Sequence, residues 1–175
     1  MKTRILNFFE DSGKLILSPE ELFYLKGQKA GAGGIASLIF YSAFTSLIIG
    51  ILMQSLTFAV ILMVITIVVG LVVRFVHAIF IHIFSSLIFN GQGNILACFN
   101  LICYPSVLDI FLIIGLVGTV LNKMFIFPLL MLVVIWRFVI VITAVATEYG
   151  IDFGKAFFST YGIWLIIVTI LMGIL

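Results

Sequence analysis

LTFAVILMVITIVVGLVVRFVHAIFIHIFSSLIF, from Leu56 to Phe89, contains a single Lys, Arg, Asp or Glu, namely Arg74, and this stretch decides the fold. As one helix it is about 51 Å long at 1.5 Å rise per residue, against a hydrocarbon core about 30 Å thick. Only helices and closed barrels satisfy their backbone hydrogen bonds inside lipid, and barrel strands read as short alternating segments rather than unbroken apolar runs. The stretch is therefore a membrane helix. It is expected to project past the hydrocarbon through its Arg74, His77, His82 end rather than bend at Gly70, because a re-entrant turn there would leave backbone groups unpaired in lipid.

The same reading extends in both directions. Four further runs, at 35–53, 95–121, 124–147 and 156–175, are long and apolar, giving an all-α polytopic bundle with five transmembrane helices. The breaks between them are Gln54-Ser55, the Asn90-Gly91-Gln92-Gly93-Asn94 turn, Asn122-Lys123 and a polar loop from Glu148 to Lys155. The chain is 64% hydrophobic and 9% charged, where soluble domains carry about 25% charged residues. Mean hydropathy is +1.40. A net charge of +2, scattered along the chain, excludes a nucleic-acid partner. Cys98 and Cys103 lie within an apolar run and read as packing residues rather than a disulfide framework.

Residues 1–34 form a polar amino-terminal segment, and 35–175 form the membrane domain. Ile5, Leu6, Phe8 and Phe9 share one helical face and Arg4, Asn7, Glu10 and Asp11 the other, as in a short helix lying among headgroups; a loosely ordered tail fits equally. Ser18-Pro19-Glu20-Glu21 predicts a second helix, with Ser18 as N-cap and Pro19 in the first position. Gly31-Ala32-Gly33-Gly34 is expected to end that helix before the first span. Lys and Arg near the span ends fall on one side at Lys2, Arg4, Lys14, Lys26, Lys29, Arg74 and Lys155, with Lys123 on the other. This bias puts the amino terminus in the cytoplasm and the carboxyl terminus outside.

The interior polar residues are the candidates for chemistry. Asp109 and Arg137 are both near mid-span, where a charge costs about 2.5–3.5 kcal/mol on the mildest scale, so they invite pairing. The pair reads first as a contact that fixes helix register and second as a transport site. Arg74, His77, His82 and Ser85 form a polar stripe on the second helix, read first as a helix end emerging among headgroups and second as a protonatable pathway. His77 with His82, and Cys98 with Cys103, diverge by about 140° around a helix at 100° per residue, unlike the three- or four-residue spacings of helical zinc pairs. No paired carboxylates or nucleophile with an adjacent base are found, so neither enzymatic chemistry nor a cofactor or metal is expected. Tyr104-Pro105 is expected to kink or loosen the third span.

Four local patterns, in order, resemble the Yip1-domain family of integral membrane proteins. They are Leu17-Ser18-Pro19-Glu20-Glu21-Leu22-Phe23, the Gly91-Gln92-Gly93 turn, Tyr104-Pro105, and Trp136 followed by Tyr149-Gly150-Ile151-Asp152-Phe153-Gly154-Lys155-Ala156. The resemblance implies five spans, a cytoplasmic amino terminus and a short outward carboxyl end. Eukaryotic members are associated with membrane traffic through a long amino-terminal region. The short segment before Ile35 is more similar to prokaryotic members, which implies a cell-membrane location, and no catalytic residue is carried over. The expected function is a non-enzymatic membrane organiser or adaptor, in some form a homo-oligomer, that binds lipids or a protein partner through the amino-terminal segment. The alternative is a small transporter, channel or lipid-moving protein using Asp109 and Arg137.

Overall fold

The computed structural model describes residues 2–27, 31–119, 124 and 126–174. The Asn122-Lys123 turn, Leu121 and Leu175 lie outside these residues, as do Lys29 and the side chains of Lys2, Arg4 and Ile5. Among the described residues every regular element is helical: α1 Lys2–Leu17, α2 Pro19–Gly27, α3 Gly33–Leu52, α4 Leu56–Ile83, α5 Ile95–Cys103, α6 Asp109–Gly118, α7 Ile126–Tyr149, α8 Phe153–Phe157 and α9 Ile163–Ile174. A π-turn, Phe84–Ile88, extends α4, a 3-10 turn, Tyr104–Leu108, joins α5 to α6, and a second π-turn, Phe158–Gly162, joins α8 to α9. Four helical segments are long and apolar enough to cross a membrane: Gly33–Leu52, Leu56–Ile88, Ile95–Gly118 and Ile126–Tyr149. The arrangement is that of a multi-pass membrane protein.

Side-chain caps set several boundaries. Ser55 Oγ accepts from the Phe58 N–H at 3.2 Å and starts α4, immediately after Gln54 turns the chain at φ 53°. Asn94 Oδ1 accepts from Leu96 N–H at 2.8 Å and opens α5. Asp152 Oδ1 accepts from Lys155 N–H at 2.9 Å and opens α8. These groups fill orphan donors at the helix starts. Helix α4 continues unbroken through Gly70 in one α-helical element. A Ser46–Thr66 hydroxyl contact of 3.1 Å clips α3 to α4. The outward face of α4, including Val60, Ile61, Val64, Val68 and Val72, is exposed apolar surface, which suits lipid and not water.

The glycine cluster does more than separate two helices. Helix α2 is described to Gly27, residues 28–30 lie outside the described residues, Gly31 and Ala32 belong to no helix, and Gly33 and Gly34 open α3. A Cβ at Gly34 would overlap the Asn100 carbonyl oxygen, so the cluster serves a close helix crossing. No side chain of α3 caps its start; Asn100 Oδ1, from α5, accepts from Gly34 N–H at 2.9 Å and Ile35 N–H at 3.2 Å. Tertiary contact thereby supplies a missing cap.

The amino-terminal segment is neither a tail nor a separate surface layer. Leu15, Leu22 and Phe23 are fully buried in one core with Tyr41, Leu101, Tyr104, Val107, Leu108, Val133, Ile140 and Ala144. Ser12 Oγ accepts from Tyr41 Oη–H at 3.2 Å, and Phe8 stacks near Tyr41 with ring centroids 6.2 Å apart. Ser18 joins the two helices, its N–H donating to Lys14 O at 2.7 Å and its carbonyl accepting from Leu22 N–H at 3.3 Å. The boundary at residues 34 and 35 therefore divides the sequence but not the core. Charged residues of α1 and α2 pair with one another, with Lys14 on Glu10 at 3.0 Å and Lys26 on Asp11 at 2.7 Å. The Glu10 carboxylate holds the Lys14 ammonium above its ordinary range. A second core joins α4, α5, α7 and α8 through Ala78, Ile81, Cys98, Ile102, Val145, Tyr149 and Ala156.

Candidate functional site

Pro105 cannot donate a backbone hydrogen bond, and the chain tightens into the 3-10 turn at Tyr104–Leu108 before α6 resumes at Asp109. This break places Asp109 in the first turn of α6, where the helix dipole favours a carboxylate. Arg137 sits midway along the neighbouring α7 and its Nη2 donates to Asp109 Oδ1 at 2.5 Å. The side chains are 37% and 20% exposed, for Arg137 and Asp109 respectively. Arg137 Nε is buried with no hydrogen-bond partner.

Arg137 also lines a cavity of about 190 Å³ together with Arg74, His77, Ile102, Pro105, Val141 and Tyr161. His77 Nε2 lies 3.0 Å from the Thr160 carbonyl. A carbonyl only accepts, so Nε2 carries the hydrogen. Thr160 belongs to the π-turn Phe158–Gly162, and such turns put backbone groups in positions a regular helix does not offer. The Tyr161 ring is held edge-on to Phe138 at a centroid distance of 4.4 Å. Among the described residues no side chain hydrogen-bonds or ion-pairs with Arg74.

The polar stripe on α4 divides in two. Arg74 and His77 reach this cavity, whereas His82 and Ser85 belong to the end of the bundle near Tyr149. His82 Nδ1 lies 2.9 Å from Tyr149 Oη. The Ser85 carbonyl accepts from Gly91 N–H at 2.8 Å, while its hydroxyl is buried without a partner. The stripe thus faces protein at His77, His82 and Ser85, through Thr160, Tyr149 and Gly91. His77 and His82 serve different partners, Thr160 and Tyr149, and Cys98 and Cys103 are free and buried.

Half of the motif residues gather around that same end. Gln92 N–H donates to the Tyr149 carbonyl at 3.1 Å, and Asn94 N–H donates to Glu148 Oε1 at 2.9 Å. A Cβ at Gly93 would lie 2.5 Å from the Tyr149 ring, so only glycine fits the approach. Gly150, at φ +63°, takes the left-handed step that ends α7. Lys155 follows through the Asp152 cap, and Ala156 is fully buried beside Tyr149. The Lys155 backbone N–H and its ammonium hold the Asp152 carboxyl below its ordinary range. Elsewhere, Phe23 packs edge-on to Tyr104 at 6.1 Å, Pro19 opens α2, and Trp136 flanks a small apolar cavity with Ile16 and Leu108. These positions hold helix ends and helix crossings in place.

Sequence reasoning passed over Asn100, Thr160 and Tyr161, and named Tyr149 only as part of the family-like pattern. Asn100 carried a usable signal, a lone amide inside an apolar run. The Thr160 carbonyl and the Tyr161 ring carried none, because a backbone oxygen and an aromatic residue are ordinary in a membrane helix. Comparison of the chain with protein families, with curated proteins and with solved structures finds no match in any of the three.

Proposed function

We propose that this chain is a five-span, non-enzymatic membrane organiser or adaptor, similar to the Yip1-domain family, that engages a protein partner through its amino-terminal helices on the cytoplasmic side of a prokaryotic cell membrane. The fifth span is the run at 156–175, in which Leu165, Ile166, Val168, Ile170 and Leu171 are exposed apolar residues suited to lipid. The Lys and Arg distribution supports the orientation.

One observation carries the reading. Between the α1–α2 turn and α7 lies an open cleft of about 710 Å³, lined by Leu17, Pro19, Glu20, Glu21, Tyr24 and Phe153 among others. That volume falls within the roughly 300–1,000 Å³ of ligand-sized clefts. The acids Glu10, Asp11, Asp109, Glu148 and Asp152 each have a hydrogen-bond or ion-pair partner within the chain. Glu20 and Glu21 are exposed on the cleft and suit a basic partner segment. Because α1 and α2 share the bundle core, a partner held there is held to the membrane domain.

The test is stoichiometric co-purification after cross-linking in native membranes, with wild type against Glu20→Lys combined with Glu21→Lys. The expected result is a partner lost on charge reversal while the protein still folds. A solute or lipid flux in liposomes that Asp109→Asn abolishes would replace this reading with the transporter.

A further inference from the structure

The charges at mid-bundle do not balance. Arg74 on α4 and Arg137 on α7 both line the cavity of about 190 Å³, while only one carboxylate, Asp109, lies within hydrogen-bond reach of either. The chain has seven acids, all described, and none is left over for Arg74. Glu148 is engaged at the Asn94 turn, Asp152 by Lys155, and Glu10 and Asp11 by lysines of α1 and α2. Glu20 and Glu21 line the separate cleft beside α2. His77 is committed through Nε2 to the Thr160 carbonyl and adds no negative charge.

A guanidinium presents five N–H donors and cannot give up its proton. Arg137 spends one donor on Asp109 and leaves its Nε buried and bare, and no hydrogen bond or ion pair engages Arg74. Groups of this kind, taken out of water, are held with a counter-charge or pull one in. The two forks reach the cavity from different helices, α4 and α7. A planar carboxylate offers both oxygens to one side, whereas a tetrahedral phosphate offers oxygens in several directions at once and pairs bidentately with guanidinium. The cavity volume matches roughly six water molecules at about 30 Å³ each. It is smaller than the roughly 300 Å³ where drug-sized pockets begin, which suits a compact anion and excludes a large solute.

We infer that the cavity between Arg74 and Arg137 is a phosphate-binding site, taking either a free phosphate or the phosphate of a lipid headgroup. Ile102, Pro105 and Val141 form its apolar walls, and these strengthen the charge contact by keeping the local dielectric low. Asp109 orients the Arg137 fork and limits the site to about one net positive charge. The inference does not depend on the amino-terminal cleft or on any partner held there.

The test measures thermal unfolding of the full chain in neutral detergent with inorganic phosphate, with short-chain phosphatidic acid, or with neither, alongside native mass spectrometry. At least one probe is expected to stabilise wild type, and Arg74→Gln is expected to weaken that binding by about tenfold or more, as for one lost charge-assisted contact. Stabilisation by both probes identifies a site open to free phosphate, and stabilisation by the lipid alone identifies a headgroup site. Without either probe, Arg74→Gln is expected to be as stable as wild type or more so, since Arg74 holds nothing in the chain. Wild type that neither probe stabilises, or Arg74→Gln stabilised equally, overturns the site. Should Arg74→Gln fail to fold, Arg74→Lys keeps the charge without the fork, and undiminished binding by that variant overturns the two-guanidinium geometry.

Discussion

The bundle end around Tyr149 and the mid-bundle around Arg137 are both polar places in an apolar chain, yet they are built on opposite terms. At the Tyr149 end, backbone N–H groups of Gly91, Gln92 and Asn94 meet Ser85, Tyr149 and Glu148, and His82 meets the Tyr149 hydroxyl. At mid-bundle, two guanidiniums line a cavity and only one of them, Arg137, has a carboxylate partner. Apart from the Ser85 hydroxyl, the groups at the Tyr149 end are paired and lock helices together, whereas the guanidiniums at mid-bundle keep unpaired donors, the basis of the proposed anion site. The difference teaches where stability resides and where a ligand enters.

The contrast breaks most severely at Tyr149. Tyr149→Ala removes a fully buried ring and the hydroxyl beside His82, and should destabilise by about 3 kcal/mol, read as a lowered midpoint in detergent unfolding. A loss under a third of that would deny the network its central member. Next comes Asp109→Asn, which leaves Arg137 without its counter-charge and should lose about 1–2 kcal/mol in the same assay. Combining Asp109→Asn with Arg137→Gln should recover most of the loss, since the penalty is an unpaired charge; a strictly additive double mutant would refute the pairing account.

Smaller effects sharpen the comparison at the helix starts. Asn100→Ala removes the acceptor for Gly34 and Ile35 N–H, and should cost about 1 kcal/mol together with faster amide exchange at those two positions. Unchanged exchange would mean that α3 starts without help from α5. The smallest effect is at Asp152, whose carboxyl is held low mainly by the Lys155 N–H. A group with a depressed folded pKa contributes stability at pH above its unfolded value and loses it as pH falls through the folded one. An NMR titration should place the Asp152 midpoint below the ordinary 3.8, and Lys155→Ala should move it back part of the way. A midpoint at 3.8 or above would deny the cap its ionic character.

Much of the framework was legible in the residues. Leu56 to Phe89 announced a helix, and α4 does run unbroken through Gly70. Tyr104-Pro105 announced an interruption, and a 3-10 turn stands there. Asp109 and Arg137 stood out because charge is rare in such runs, and the two groups do meet. The close crossing at Gly33 and Gly34 was not legible, because glycine has the same local signature whether it ends a helix or lets another helix approach. The amino-terminal helices were legible as helices, but their place in the core was not. Their charge content pointed outward, while Leu15, Leu22 and Phe23 sit in the core with residues of four other elements.

The sequence by itself determined the solvent of this protein, since hydropathy and backbone hydrogen bonding are local properties that admit only helices across lipid. It also determined which few residues bear charge inside the apolar runs. Only the tertiary structure decided what those residues face. Arg74 lies far along the chain from Arg137, and the Thr160 carbonyl far from His77, so no periodicity links them. Helix packing brought two cations to one cavity and left Asp109 as their single acid, because side chains on separate helices become neighbours only when the bundle closes.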